Sequence, residues 1–160
     1  MNNHMRRPLL TLIIVFSNIL PGPEIIGQHA DVISANSSDW LELYKELHAS
    51  PELSFHEVKT AVKMAEVLRK QGFEVTEQLG GNGVVGVLEN GNGPTVMVRT
   101  DMDALPVIEE TGLPYASTVT TNDDDGNQVG VMHACGHDLA MTTWAATAEL
   151  LAQHKDQWKG

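Results

Sequence analysis

Apolar positions from Ser38 onward fall into helical and strand periods that alternate along the chain. Trp40, Leu43, Tyr44 and Leu47 recur at i, i+3, i+4 and i+7, one face of a helix over 38–48, with Asp39 and Glu42 in a capping arrangement at its start. Pro51 interrupts, and S-F-H-E from Ser54 reads as a capping box opening a second helix. That helix carries Val58, Ala61, Val62, Ala65 and Leu68 on one face and ends at Gly72. Strands are expected over 73–79, 84–89 and 95–100. The turn Asn90-Gly91-Asn92-Gly93 should pair the last two antiparallel. A further hairpin is expected where 118–121 and 128–131 flank Asp123-Asp124-Asp125-Gly126. A last helix over 138–154 presents Met141, Trp144, Ala145, Ala148 and Leu151. The sum is an α/β fold: a mixed sheet flanked by helices, without internal repeats.

The first segment follows a different pattern. Arg6 and Arg7 precede an apolar run from Leu9 to Leu20, and Pro21-Gly22-Pro23 breaks it. Twelve such residues are too few to span a bilayer, which takes about 20 in a helix. Charge, apolar run and breaker stand in the order of a secretory signal. Residues 1–30 are therefore expected to be a signal peptide cut after Ala30, although Gln28 stands where a small residue is favoured. Residues 31–160 form the mature domain, exported to the periplasm or secreted. No later window is apolar enough to cross a membrane.

Composition narrows the chemistry. The 160 residues carry 21 acidic and 10 basic side chains, a formal net charge of −11. That charge opposes binding to a phosphate backbone, and 5% aromatics leave little to stack on bases, so no nucleic acid partner is expected. Cys135 is the single cysteine, which excludes an internal disulfide and, in an exported protein, points to a role for the thiol.

Several familiar patterns fail in context. Gly81, Gly83 and Gly86 satisfy G-x-G-x-x-G, but the next residues are β-branched and read as a strand, not as the helix whose N-terminus would hold a phosphate. His56-Glu57 opens like H-E-x-x-H, but Thr60 occupies the second histidine position. Asn36-Ser37-Ser38 is a glycosylation sequon, meaningful only in a eukaryotic secretory route. The acids at 123–125 lack a bidentate partner at calcium-loop spacing and read as a solvated turn.

Val131-Met132-His133-Ala134-Cys135-Gly136-His137-Asp138 is of another kind. It holds a thiol and two imidazoles within five residues. Cys135 and His137, two apart, leave the same face of an extended segment, and Gly136 allows the backbone to bend between them. A thiolate and an imidazole suit a zinc-like ion, and Asp138 is placed to cap the following helix. The residues alone leave two readings of equal weight, metal ligands or a buried thiol beside a core histidine. Upstream, Asp101 and Asp103 end a hydrophobic strand, where acids either orient ligating histidines or simply face solvent.

R-T-D-M-D-A-L-P at 99–106, M-H-A-C-G-H-D at 132–138 and L-H-A-S-P-E-L-S-F-H-E at 47–57 together resemble the amidohydrolase branch of the aminoacylase and carboxypeptidase metallopeptidase superfamily, which includes hippurate hydrolases and indole-acetyl-amino-acid hydrolases. The resemblance covers about residues 39–159. It implies a hydrolase with two divalent ions, zinc or manganese, that cleaves the amide of an N-acyl amino acid or similar small substrate. A glutamate general base would act on a metal-bound water. It implies that Cys135 and His137 are metal ligands and that Asp103 acts from behind them. The family motif usually continues with a histidine where this chain has Ala140. The family's glutamate pair, its later ligand histidines and its smaller lid or dimerisation domain lie further along than Gly160, and any homo-oligomer would form through that domain. The resemblance thus implies the leading portion of such an enzyme, inactive by itself for want of a general base. The alternative is a truncated, non-catalytic product that binds a metal or a partner.

Overall fold

The computed structural model describes residues 23–160. Three helices, α1 (Pro23–Ala49), α2 (Val58–Lys70) and α3 (His137–Gln153), accompany two antiparallel hairpins. The first pairs β1 (Glu74–Leu79) with β2 (Gly83–Val87), and the second pairs β3 (Thr120–Asn122) with β4 (Gln128–Gly130). The expected leader lies mostly outside the described residues, and its boundary at Ala30 falls within α1, which is continuous from Pro23. Pro23 suits a first helical position, where its missing N–H is not needed. Asp39 therefore sits inside a helix rather than at its start. Among the described residues, no helix is long and apolar enough to cross a membrane.

The helices meet at one apolar cluster of Leu47, Met64, Met141 and Ala145, with Leu43, Val67, Met102 and Trp144 packed around it. The α1 face legible in the sequence and the Met141 face of α3 are the surfaces that meet. Trp40 Nε1 adds a hydrogen bond to Glu149 Oε2 at 2.9 Å, tying the two helices by their polar edges. A second cluster of Leu53, Ala104 and Val131 lies under the three motif segments.

The start of α2 differs from expectation. Phe55 has φ +65°, a left-handed conformation that cannot continue into a helix, so the helix begins at Val58 and the Ser54 capping box does not form. Its free N–H groups are met instead by Glu52. That carboxylate accepts from the backbone of Lys59 at 3.2 Å and of Thr60 at 2.8 Å, and from the Thr60 hydroxyl at 2.9 Å. A negative group at this end also opposes the helix dipole favourably. Glu52→Ala is expected to cost about 1 kcal/mol, the usual value of a cap, read as a lower urea midpoint with an unchanged slope. An unchanged midpoint would mean water replaces the carboxylate without loss. The other end of α2 closes as expected. Gly72, at φ +86°, follows the helix, and the Phe73 and Gly72 N–H groups donate back to Leu68 and Arg69 carbonyls.

The glycine-rich loop opens β2, not a helix, so its backbone offers no phosphate cradle of the dinucleotide kind. Gly86 has a packing reason: a Cβ there would stand 2.6 Å from Leu68 Cδ1. The expected pairing of 84–89 with 95–100 does not form. β2 takes β1 as its partner, and 95–100 runs without a ladder, leaving Val96 and Met97 exposed. The period-2 apolar pattern there marks a segment suited to a sheet, but no strand among the described residues lies beside it.

The β3–β4 hairpin forms as expected. Asp123 organises its turn by accepting from the N–H groups of Asp125 at 3.1 Å and Asn127 at 2.7 Å. These bonds, the Asn127 backbone first, hold its carboxyl below the usual range. His56 meets Asp124 at the surface, not a metal ligand set.

Candidate metal centre

Backbone hydrogen bonds bring the three motif segments side by side. Leu105 and Met132 exchange N–H donors and carbonyl acceptors at 2.9 and 3.0 Å, which lays 99–106 antiparallel to 131–138. On the other side the Ala104 N–H donates to the Glu52 carbonyl at 2.8 Å, with a parallel bridge between Leu53 and Ala104. Segments some 50 and 80 residues apart thereby share one edge.

After Met132 the chain turns tightly. The Gly136 N–H donates to the His133 carbonyl at 3.2 Å, and Gly136 takes φ +77°, which a glycine adopts without steric cost. α3 then starts at His137. Gly136, not Asp138, occupies the cap position. Asp138 lies in the first turn, where its Oδ1 accepts the Leu139 N–H at 2.8 Å. The expected capping role of Asp138 is thus corrected, because the glycine turn ends one residue earlier than the sequence suggested.

His137 is clamped from one side. Its Nδ1 lies 2.9 Å from the Asp103 carbonyl oxygen and 3.1 Å from Asp103 Oδ1. Both oxygens accept, so the proton sits on Nδ1 and the Nε2 lone pair is left for another partner. Both side chains are about a quarter exposed. Cys135 is an exposed free thiol, not a buried one. Asp101, which the sequence places on the same face as Asp103, is ion-paired with Arg99 at the surface instead. Ala140 lines a shallow groove with Gly136, Leu139 and Trp144. Among the described residues no group of three or more His, Cys, Asp or Glu is arranged to hold a metal ion.

The two histidines of the motif part company. His133 is buried, and neither ring nitrogen has a hydrogen-bond partner among the described residues. Burial pushes it below the usual histidine range, with partial opposition from Asp138.

A second polar cluster escaped sequence reasoning. His48 is buried with Nδ1 2.6 Å from Asp138 Oδ2 and Nε2 3.0 Å from Glu109 Oε1. Glu109 also accepts the Thr111 hydroxyl and, at 2.5 Å, the Ser117 N–H. Tyr44 and Tyr115 pack against the His48 ring at centroid distances of 5.6 and 5.4 Å. Burial works against charge on His48, but hydrogen bonds to the two carboxylates outweigh it and raise its pKa. Burial likewise works against the Glu109 carboxylate, and bonds from Thr111, His48 and Ser117 outweigh it and lower its pKa. His48 lies in the 47–57 motif and was a signal in principle. Glu109 had none, because nothing in its spacing relates it to residues 48 or 138.

These shifts set a pH window. A raised histidine stabilises fully below its ordinary value of 6.5 and loses that contribution as pH climbs through the raised value. A lowered carboxyl stabilises above its ordinary value of 4.5 and loses that contribution as pH falls through the lowered one. Stability from this cluster is therefore complete between 4.5 and 6.5 and declines on both sides. Urea midpoints across pH check it: the difference between wild type and His48→Gln should peak in that window, and a flat difference would contradict the assignment.

Residues 97–160 match the model of peptidase family M20/M25/M40. The chain is 44% identical over 108 residues to the hippurate hydrolase of Campylobacter jejuni, covering 67% of this chain and 26% of that enzyme. It is 42% identical over 125 residues to thermostable carboxypeptidase 1 of Saccharolobus solfataricus, covering 76% of this chain and 30% of the other. The crystal structure of the YXEP protein of Bacillus subtilis, a dinuclear metal binding peptidase from the M20 family, is similar at a TM-score of 0.69 and 36% identity. That alignment covers 79% of this chain and 33% of YXEP. The chain thus spans about a third or less of the length of these relatives. The matched segment contains Asp103, Glu109, Cys135, His137 and Asp138, whereas His48 precedes it.

Proposed function

We propose that this chain is part of a metal-dependent amidohydrolase that cleaves the amide bond of N-acyl amino acids or related small amides, with Cys135 and His137 among its metal ligands. The observation that carries this reading is the clamp of Asp103 on His137 Nδ1, which leaves Nε2 as the ligating atom. The donor set fits a borderline-soft ion such as zinc, and manganese is the other candidate. Two ions are proposed on the likeness to YXEP. When bound, the ions supply polarisation of the amide carbonyl and a nucleophilic water.

The chain's own residues have definite tasks in this reading. Asp103 fixes the tautomer of His137 and makes its imidazole a better donor to metal. Gly136 sets the turn between thiol and imidazole. Cys135 is exposed and open to an incoming ion. The names of the hippurate hydrolase and carboxypeptidase relatives support small acylated amino acids as the substrate class. The test is to take the protein as its host makes it, load it with zinc or manganese, and offer N-benzoyl and N-acetyl amino acids. Metal-dependent release of free amino acid, stopped by a chelator, is expected. No hydrolysis with either metal would overturn the reading.

Export is part of the same proposal, supported by Arg6, Arg7 and the apolar run from Leu9 to Leu20. N-terminal sequencing of host-derived protein is expected to start near Asp31. Soluble material still beginning at Met1 would contradict it.

A further inference from the structure

We propose that His48 is a positioning residue for the metal centre, holding the Val131–Asp138 segment at both ends so that His137 presents its free nitrogen in one place. This rests on the reading of His137 as a ligand. The geometry is specific. One imidazole meets Asp138 Oδ2 through Nδ1 and Glu109 Oε1 through Nε2. Asp138 is the residue after His137, and every acceptor on it is engaged: Oδ2 by His48, Oδ1 by the Leu139 N–H, and its carbonyl by the Thr142 hydroxyl at 2.8 Å. Glu109 passes the restraint to the other end of the segment. It accepts the Ser117 N–H, and the Ser117 hydroxyl donates to the Val131 carbonyl at 2.7 Å. His48 thus ties α1 to the first turn of α3 directly and to Val131 through two intermediate residues, Glu109 and Ser117. Asp103 completes the arrangement by orienting the His137 ring from its other side.

Stability is an incomplete reason for this cluster, because an apolar alternative was open. Two carboxylates and an imidazole taken out of water carry a desolvation cost that well-packed apolar side chains would avoid. The Glu109 and Asp138 side chains are 0% and 3% exposed, so that cost is present here. What the cluster provides is a fixed direction for a backbone segment, and that matters where a ligand must be held to a fraction of an ångström.

The experiment measures zinc affinity of the protein as its host makes it, by chelator competition, with circular dichroism of the metal-free form alongside. His48→Gln is expected to bind zinc about 10–100-fold more weakly, the usual effect of losing a group behind a ligand. Leu68→Ala, a buried change where α2 packs against Gly86 of β2, controls for loss of stability and is expected to leave affinity unchanged. Glu109→Gln keeps an oxygen acceptor for Nε2 and is expected to lose less than His48→Gln. Should His48→Gln fail to fold, Glu109→Gln decides: affinity equal to wild type overturns the inference. If Cys135→Ala abolishes binding while His48→Gln binds like wild type, the inference is overturned and the metal reading stands. If the wild type binds no zinc, the metal reading itself fails and the inference fails with it.

Discussion

In a full-length version of the proposed enzyme, Cys135→Ala is expected to lose bound metal and amide hydrolysis together while keeping the metal-free stability. The thiol is exposed, so its removal leaves no cavity and unpairs no buried group. Exposed substitutions of this kind usually change stability by less than about 0.5 kcal/mol. Loss of a thiolate ligand removes both a donor and a negative charge from the ion, and metal polarisation of a carbonyl is worth several kcal/mol. A turnover loss on the order of a hundredfold or more follows, since each 1.36 kcal/mol is about tenfold in rate. Elemental analysis beside a turnover assay reads both effects on one preparation. Normal metal content with normal turnover would make Cys135 a bystander.

Met141→Ala is expected to be among the most damaging apolar truncations of the described residues. Met141 is 0% exposed and lies where α1, α2 and α3 meet, against Leu47, Met64 and Ala145. Truncating such a side chain removes its transfer energy and leaves a cavity the neighbours fill only in part, at about 2–5 kcal/mol. The cost falls on the same helix that begins with His137, so the start of α3 and the site share a foundation. Urea unfolding measures it. A loss below about 1 kcal/mol would mean the helices repack freely around the gap.

The parts of the fold that could be read from the chain are those where local period and burial coincide. The Trp40–Leu47 face, the Met141–Ala148 face, the Gly72 stop and the acidic hairpin turn formed where the residues placed them, whereas Leu151 on α3 and Val58 and Val62 on α2, expected on buried faces, are exposed. What could not be read depends on partners distant in sequence. Residues 95–100 alternate like a strand, but a strand needs a neighbour, and β2 pairs with β1 instead. S-F-H-E looked like a capping box until the left-handed Phe55 moved the helix start to Val58 and gave the capping to Glu52.

The candidate site divides in the same way. The spacing of Cys135 and His137 was visible, as was an acid behind them at Asp103. That Asp103 meets His137 through its carbonyl as well as its carboxylate is a product of the Leu105–Met132 pairing and had no local signal. His133 and His137 stand four residues apart in one motif, yet one is buried and neutral while the other reaches the surface. The tight turn at Gly136 separates them, and neither periodicity nor composition foretells which ring goes inward.

X-ray absorption of the zinc-loaded protein tests the central claim most directly, because it reports the atoms around the ion without a substrate or a variant. The account predicts a sulfur neighbour at about 2.3 Å together with nitrogen at about 2.0–2.1 Å, the thiolate of Cys135 and Nε2 of His137. The sequence contains one cysteine, so a sulfur shell at that distance can have a single cysteine source within this chain. A shell of nitrogen and oxygen alone would contradict the account.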